Sequence, residues 1–170
     1  TTAVNLAASL AATQRRVLLV DLDPQGNATM GCGVDKSSVE HGSCEVMLGE
    51  CTADQAIVEV NGQFQLMPTN QDLTSAEVRL VMSTEGRESR LRKSLTAHLA
   101  ALPENASYDY VLIDCPPSLG LLTVNGLAAA REVMVPIQCE YYALEGLGQL
   151  LRNVDLVKRN LNPTLHLSTI

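Results

Sequence analysis

Short apolar runs alternate along this chain with stretches whose apolar residues recur every three or four positions. Val17–Val20, Phe64–Pro68, Tyr110–Ile113 and Val133–Ile137 are largely apolar and are flanked by turn formers or polar residues, which predicts buried strands. Leu165–Ile170 begins another. Residues 2–13 place Val4, Ala7, Ala8 and Ala11 on one helical face. Leu91, Leu95, Leu99 and Leu102 predict an amphipathic helix over 88–102, and residues 119–130 fit a further one. Leu147, Leu150, Val154, Val157 and Leu161 mark a long helix that Asn162-Pro163 stops. Residues 31–55 carry no clear period, apart from a helical turn at Glu45–Leu48. Strands alternating with helices predict an α/β fold, a mostly parallel sheet flanked by helices on both faces, in a single domain over 1–170.

Composition refines this picture. Hydrophobic residues make up 46% of the 170, but only 3% are aromatic, with no Trp and one Phe. The core must therefore be aliphatic, as suits parallel strands buried on both faces. No apolar run reaches the length of a membrane span, so no membrane association is expected. Five cysteines without metal-ligand spacing read as reduced thiols, and a cytoplasmic location follows. His41, His98 and His166 lie far apart and read as surface or packing residues. The net charge of −7 argues against a large nucleic-acid footprint within these residues. Arg152, Lys158 and Arg159 read as a solvated helix face. The chain opens at Thr1 without Met or a secretory signal, so residue 1 is not expected to be a native start.

In an open parallel sheet, ligands bind beyond the carboxyl ends of the strands. Asp23 follows the first predicted strand and Asp114 ends the one at 110–113. An apolar strand closed by Asp is the Walker B pattern, in which the carboxylate orders waters around a Mg²⁺ on nucleotide phosphates. An Asp that merely caps the next helix fits the same pattern. These residues alone leave both readings open.

Longer motifs favour the first. Thr1-Thr2-Ala3-Val4-Asn5-Leu6-Ala7 resembles the segment directly after the deviant Walker A loop of the ParA/MinD superfamily of P-loop NTPases. Asp21-Leu22-Asp23-Pro24-Gln25-Gly26-Asn27 resembles the ParA switch I signature, and Asp114-Cys115-Pro116-Pro117-Ser118 its Walker B and switch II region. Val135 to Leu147 is similar to a characteristic stretch of chromosomal-type (Soj-type) ParA proteins. The resemblance covers nearly the whole chain. It implies a fold incomplete at both ends: the Lys-Gly-Gly-Val-Gly-Lys-Thr loop and its strand would precede Thr1, and a C-terminal part would follow.

Roles follow from the resemblance residue by residue. Asp23 is expected to be catalytic, positioning the attacking water or waters on Mg²⁺. Asp114 is expected to hold Mg²⁺ through water. Thr1, Thr2, Gln25, Asn27, Pro116 and Glu140 are expected at the nucleotide. Each has a plainer alternative: Gln25 and Asn27 as turn formers, Pro116 and Pro117 as stiffeners, Glu140 as a solvated acid near a helix start. Asp21 is expected to support the loop, and Gly26 to supply an unusual backbone angle.

The resemblance further implies ATP and Mg²⁺ as cofactors and an ATP-dependent homodimer that binds DNA without sequence preference. A ParB-type partner would stimulate hydrolysis, and the protein would work in the cytoplasm at the nucleoid. Residues 1–170 by themselves would then be inactive. MinD-like positioning, nitrogenase-reductase-like electron transfer, a metabolic amide ligase of the same superfamily and a non-catalytic interaction domain are the other readings. The Asp23-Pro24-Gln25-Gly26-Asn27 signature speaks against the ligase.

Overall fold

The computed structural model describes residues 2–83, 85–137 and 141–169. Helix α1 (Thr2–Ala12) leads through a tight turn into β1 (Val17–Asp21). Short helices α2 (Asn27–Gly31), α3 (Ser43–Leu48) and α4 (Ala53–Ala56) come before the hairpin of β2 (Val58–Val60) and β3 (Phe64–Met67). Next come α5 (Leu73–Met82), α6 (Arg90–Ala101), β4 (Tyr110–Asp114), α7 (Leu121–Ala129), β5 (Glu132–Met134), α8 (Tyr141–Asn160) and β6 (His166–Thr169).

The main sheet has the order β2-β3-β1-β4. β1 runs parallel to both β3 and β4, and β2 pairs antiparallel with β3. All five residues of β1 are buried, and their side chains alternate between two cores. Leu18 and Val20 pack with Met47, Ala76, Leu91 and Leu122, which come from α3, α5, α6 and α7. Val17 and Leu19 pack with Ala7 of α1 and Ala28 of α2. Helices thus cover both faces, as the unbroken apolar run of β1 requires.

β5 and β6 form a separate parallel pair. A third apolar cluster of Leu127, Val154, Val157 and Leu165 joins α7, α8 and β6. Asn162 ties this unit down, its Nδ2 donating to the carbonyls of Leu127 (3.0 Å) and Ala130 (2.6 Å). Among the described residues, β4 pairs only with β1 and β5 only with β6. Tyr110 of β4 is exposed and Val111 to Asp114 are half-buried, in contrast to β1.

Several elements differ from the sequence expectation. The strand expected through Ile137 stops at Met134, before Pro136, which has no N–H for a ladder. β2 and α5 were not visible as apolar runs. β2 is short and exposes two of its three residues, and it is set by the Asn61-Gly62 turn, where φ is +49° and +66°. α5 buries Leu73, Ala76 and Leu80, whose spacing of three and four is the helical period. Among the described residues, no helix is long and apolar enough to cross a membrane.

Candidate functional site

The site is built where β1 and β4 end together. Asp21 and Asp114 are register partners, and the Leu22 N–H donates to the Asp114 carbonyl at 2.8 Å. Two adjacent parallel strands therefore deliver carboxylates to one edge, and the chain after β1 turns across it.

Asp21 is fully buried. Its Oδ2 accepts from the Thr29 N–H (2.8 Å) and Oγ1 (2.7 Å), and its Oδ1 from the Asp23 N–H (3.0 Å). Thr29 Oγ1 in turn accepts from the Thr69 N–H at 2.9 Å, just past β3. One carboxylate and one hydroxyl thus tie the loop to two strands. Burial pushes the Asp21 carboxyl up, while the Thr29 and Asp23 hydrogen bonds pull it back. The expected supporting role of Asp21 is what the geometry shows.

Asp23 stands half-buried on this anchored loop, with its Oδ1 accepting from the Gln25 N–H at 3.0 Å. The Gly26 N–H closes the turn on the Asp23 carbonyl at 2.8 Å. Gly26 has φ +67°, and a Cβ there would lie 3.0 Å from Thr69 Cγ2 and 3.1 Å from Lys36 Cδ. Glycine is required by both backbone angle and space. Gln25 and Asn27 are exposed, and Asn27 opens α2. Lys36 Nζ donates to the Gln25 carbonyl at 3.0 Å and places a cation beside the loop.

Asp114 is half-buried, and its carboxylate accepts no hydrogen bond among the described residues. Burial, then the nearby Asp21 charge, raises its pKa. Cys115 follows, its thiol pushed up to about 12 by burial and then by Asp114. It packs where only Gly126 fits, since a Cβ at 126 would lie 2.5 Å from Cys115 Sγ. None of the described cysteines forms a disulfide. Pro116 is buried and Pro117 exposed.

Thr2 is exposed in the first turn of α1. α1 and β1, each about 16 Å long by their rise per residue, are joined by a tight turn, so α1 starts at the edge where β1 ends. Val4 accordingly lies against Gly31 at the end of α2, with 3.5 Å from Val4 Cγ2 to a Cβ built there. Thr2, Gln25, Asn27, Asp23, Asp114 and Pro116 thus belong to one edge of the sheet. Thr1 and Glu140 lie outside the described residues.

Three carboxylates, Asp21, Asp23 and Asp114, gather here without an ion-pair partner among the described residues. No three His, Cys, Asp or Glu side chains of the described residues converge to cage a metal. An unbonded carboxylate with a raised pKa, outside any protein cage, suits a hard cation that keeps its own waters. Mg²⁺ fits that donor set.

The family model for the AAA domain matches residues 1–167. The chain belongs to this family. Among its AAA-domain relatives, the chromosome partitioning protein ParA of Myxococcus xanthus is 50% identical over 171 residues, covering 100% of this chain and 58% of that protein. The sporulation initiation inhibitor protein Soj of Bacillus subtilis is 47% identical over 166 residues, covering 97% of this chain and 63% of that protein. The ParA-type resemblance of the switch motifs therefore extends to overall sequence. The solved structure of cobyrinic acid a,c-diamide synthase from Mycobacterium smegmatis, with bound ATP analog and magnesium, matches with TM-score 0.90 and 42% identity. That match covers 99% of this chain and 67% of the other. The chain spans about 60% of the length of the curated relatives it matches.

Sequence reasoning missed Thr29, Lys36, Glu77 and Asn125. Thr29 lies eight residues beyond the Asp21 it binds, a separation that no helical or strand period marks. The fully buried Asn125 accepts from the Leu91 N–H at 3.3 Å and donates to the Arg87 carbonyl at 2.8 Å. A polar residue inside an apolar helix was the available signal.

Proposed function

We propose that the protein carrying this chain is an ATP-driven partitioning switch of the ParA type. The observation that supports it most is the pairing of roles at one sheet edge: an unbonded Asp114 carboxylate beside a loop that Asp21 and Thr29 anchor and that presents Asp23. Asp114 would hold the waters of a nucleotide-bound Mg²⁺, and Asp23 would orient the water that attacks the γ-phosphate. When bound, Mg²⁺ would supply charge neutralisation for the phosphates. That need is acute here, because three carboxylates would otherwise repel them.

In this reading the phosphate loop precedes Thr1, its strand adds to the open side of β4, and Thr1 and Thr2 approach phosphate oxygens. Gln25, Asn27, Pro116 and Glu140 would line or close the nucleotide site. The short match to the relatives' length supports the presence of further chain, and the bound ATP analog and magnesium of the similar solved structure support the cofactors. ATP would favour a homodimer with non-specific DNA affinity at the nucleoid, and a ParB-type partner would trigger hydrolysis.

The full-length protein tests this. With ATP and Mg²⁺ it should dimerise and bind DNA of arbitrary sequence, with affinity falling steeply as salt rises. DNA binding indifferent to both nucleotide and salt would overturn the switch. The similarity to a diamide synthase favours a second reading, an ATP-dependent amide ligase that activates a carboxylate. Hydrolysis coupled to amidation of an acid substrate, without response to DNA, would select it.

A further inference from the structure

The stretch from Asp114 to α7 is braced from several sides. Thr123 Oγ1 donates to the Ser118 carbonyl at 2.6 Å and to the Pro116 carbonyl at 3.4 Å. These braces come from α7 itself. Glu77 is different, because it stands on α5, more than 40 residues earlier in the chain. Its Oε1 accepts from the Leu121 N–H at 2.9 Å.

The chemistry of that contact is specific. The first amides of a helix have no partner within the helix, and they carry partial positive charge that favours a carboxylate. The N-cap of α7 is Gly120, which has no side chain with which to cap the helix. Glu77 supplies the missing acceptor from a neighbouring helix. No cation lies within ion-pair distance of Glu77 among the described residues, so the carboxylate is not committed elsewhere. The seat is shaped for it: a Cβ at Gly120 would collide with Glu77 Oε1.

We propose that Glu77 is a positioning residue for the site. By capping α7 it fixes where residues 115–120 end, and so holds the segment that leaves Asp114 in one path across the sheet edge. It also makes α5 a lever on that segment, since a shift of α5 withdraws the cap. The catalytic consequence rests on the proposed reading of this segment as switch II, whereas the capping itself does not.

The two parts are separable in one experiment on the full-length protein. Amide hydrogen exchange at residues 118–123 and steady-state ATP hydrolysis would be measured for the parent, Glu77→Ala, Glu77→Gln, Gly120→Ala and the double variant. Losing a hydrogen bond to a charged acceptor should speed exchange of the Leu121 amide about tenfold in Glu77→Ala. kcat should fall while KM stays within about twofold, the mark of a group that arranges the site rather than binds ground-state nucleotide. Glu77→Gln keeps an acceptor oxygen and should restore most of both. Gly120→Ala should mimic Glu77→Ala, and the double variant should be no worse than either, because the carboxylate that a Cβ at 120 would strike is already gone. Unchanged exchange in Glu77→Ala, or additive losses in the double variant, would overturn the cap. Faster exchange with unchanged kcat in an active parent would overturn the positioning role. A parent that does not hydrolyse ATP would instead contradict the proposed function, with exchange still deciding the cap.

Discussion

Asp21 and Asp114 stand side by side as register partners on β1 and β4, yet of their two carboxylates only that of Asp21 is hydrogen-bonded among the described residues. Neighbouring carboxylates of the same type therefore have different work. Asp21 is spent on the loop that carries Asp23. The Asp114 carboxylate accepts no hydrogen bond among the described residues and carries the electrostatic cost of burial beside another acid.

That cost gives a pH dependence. The folded chain holds a proton on Asp114 at pH values where the unfolded chain has released it, because the folded-state pKa lies above the ordinary 3.8. Above the folded-state value, the charged form penalises folding. Asp114→Asn should therefore raise stability at neutral pH. The gain should shrink as pH falls through the folded-state pKa and vanish below 3.8. Urea unfolding of parent and variant across this range checks it, and a gain independent of pH would contradict the electrostatic origin. The same variant should lose the Mg²⁺ dependence of nucleotide binding in the full-length protein, as a Mg²⁺ titration would read.

Thr29 links Asp21 to the Thr69 amide. Thr29→Ala leaves that buried amide without its acceptor and takes one donor from Asp21. A loss of about 1–3 kcal/mol is expected. Thr29→Ser should recover most of it, since the hydroxyl is retained. Denaturant midpoints of the two variants measure the difference, and equal losses would point to packing of the methyl group instead.

The strand edge beside Asp114 was legible in the sequence because its causes are local. Val17–Val20 and Tyr110–Ile113 are apolar runs that only burial in a sheet satisfies, and acids at their ends must emerge at the carboxyl edge. The turn at Gly26 was legible too, as its backbone angle is written into the residue type. The bonds from Thr29 to Asp21 and from Glu77 to Leu121 were not. The first closes a loop at a separation of eight residues that no helical or strand period marks, the second joins helices brought together by the crossovers between strands, and either side chain would look like a surface residue along the chain. α5 was missed because its apolar face is narrow: Leu73, Ala76 and Leu80 are buried, while Val78, Val81 and Met82 are exposed and blur the period.

If the phosphate loop precedes Thr1, the 170 residues alone should bind ATP·Mg²⁺ poorly. The edge formed by Asp21, Asp23 and Asp114 is acidic, and anion binding requires the loop amides and lysine that would offset it. Restoring the upstream segment should also cover the half-buried side of β4. Calorimetric titration of both forms is the check. Comparable tight binding by the two would show that the phosphates sit elsewhere.

Asp23 carries the catalytic claim most directly. Steady-state ATP hydrolysis and nucleotide affinity of the full-length parent and of Asp23→Ala should be measured side by side. A group that orients water acts on the transition state more than on bound ATP. The expected result is hydrolysis reduced by roughly a hundredfold or more with affinity changed less than about threefold. Equal hydrolysis by parent and variant would contradict the role of Asp23 and, with it, the reading of this edge as the site of ATP turnover.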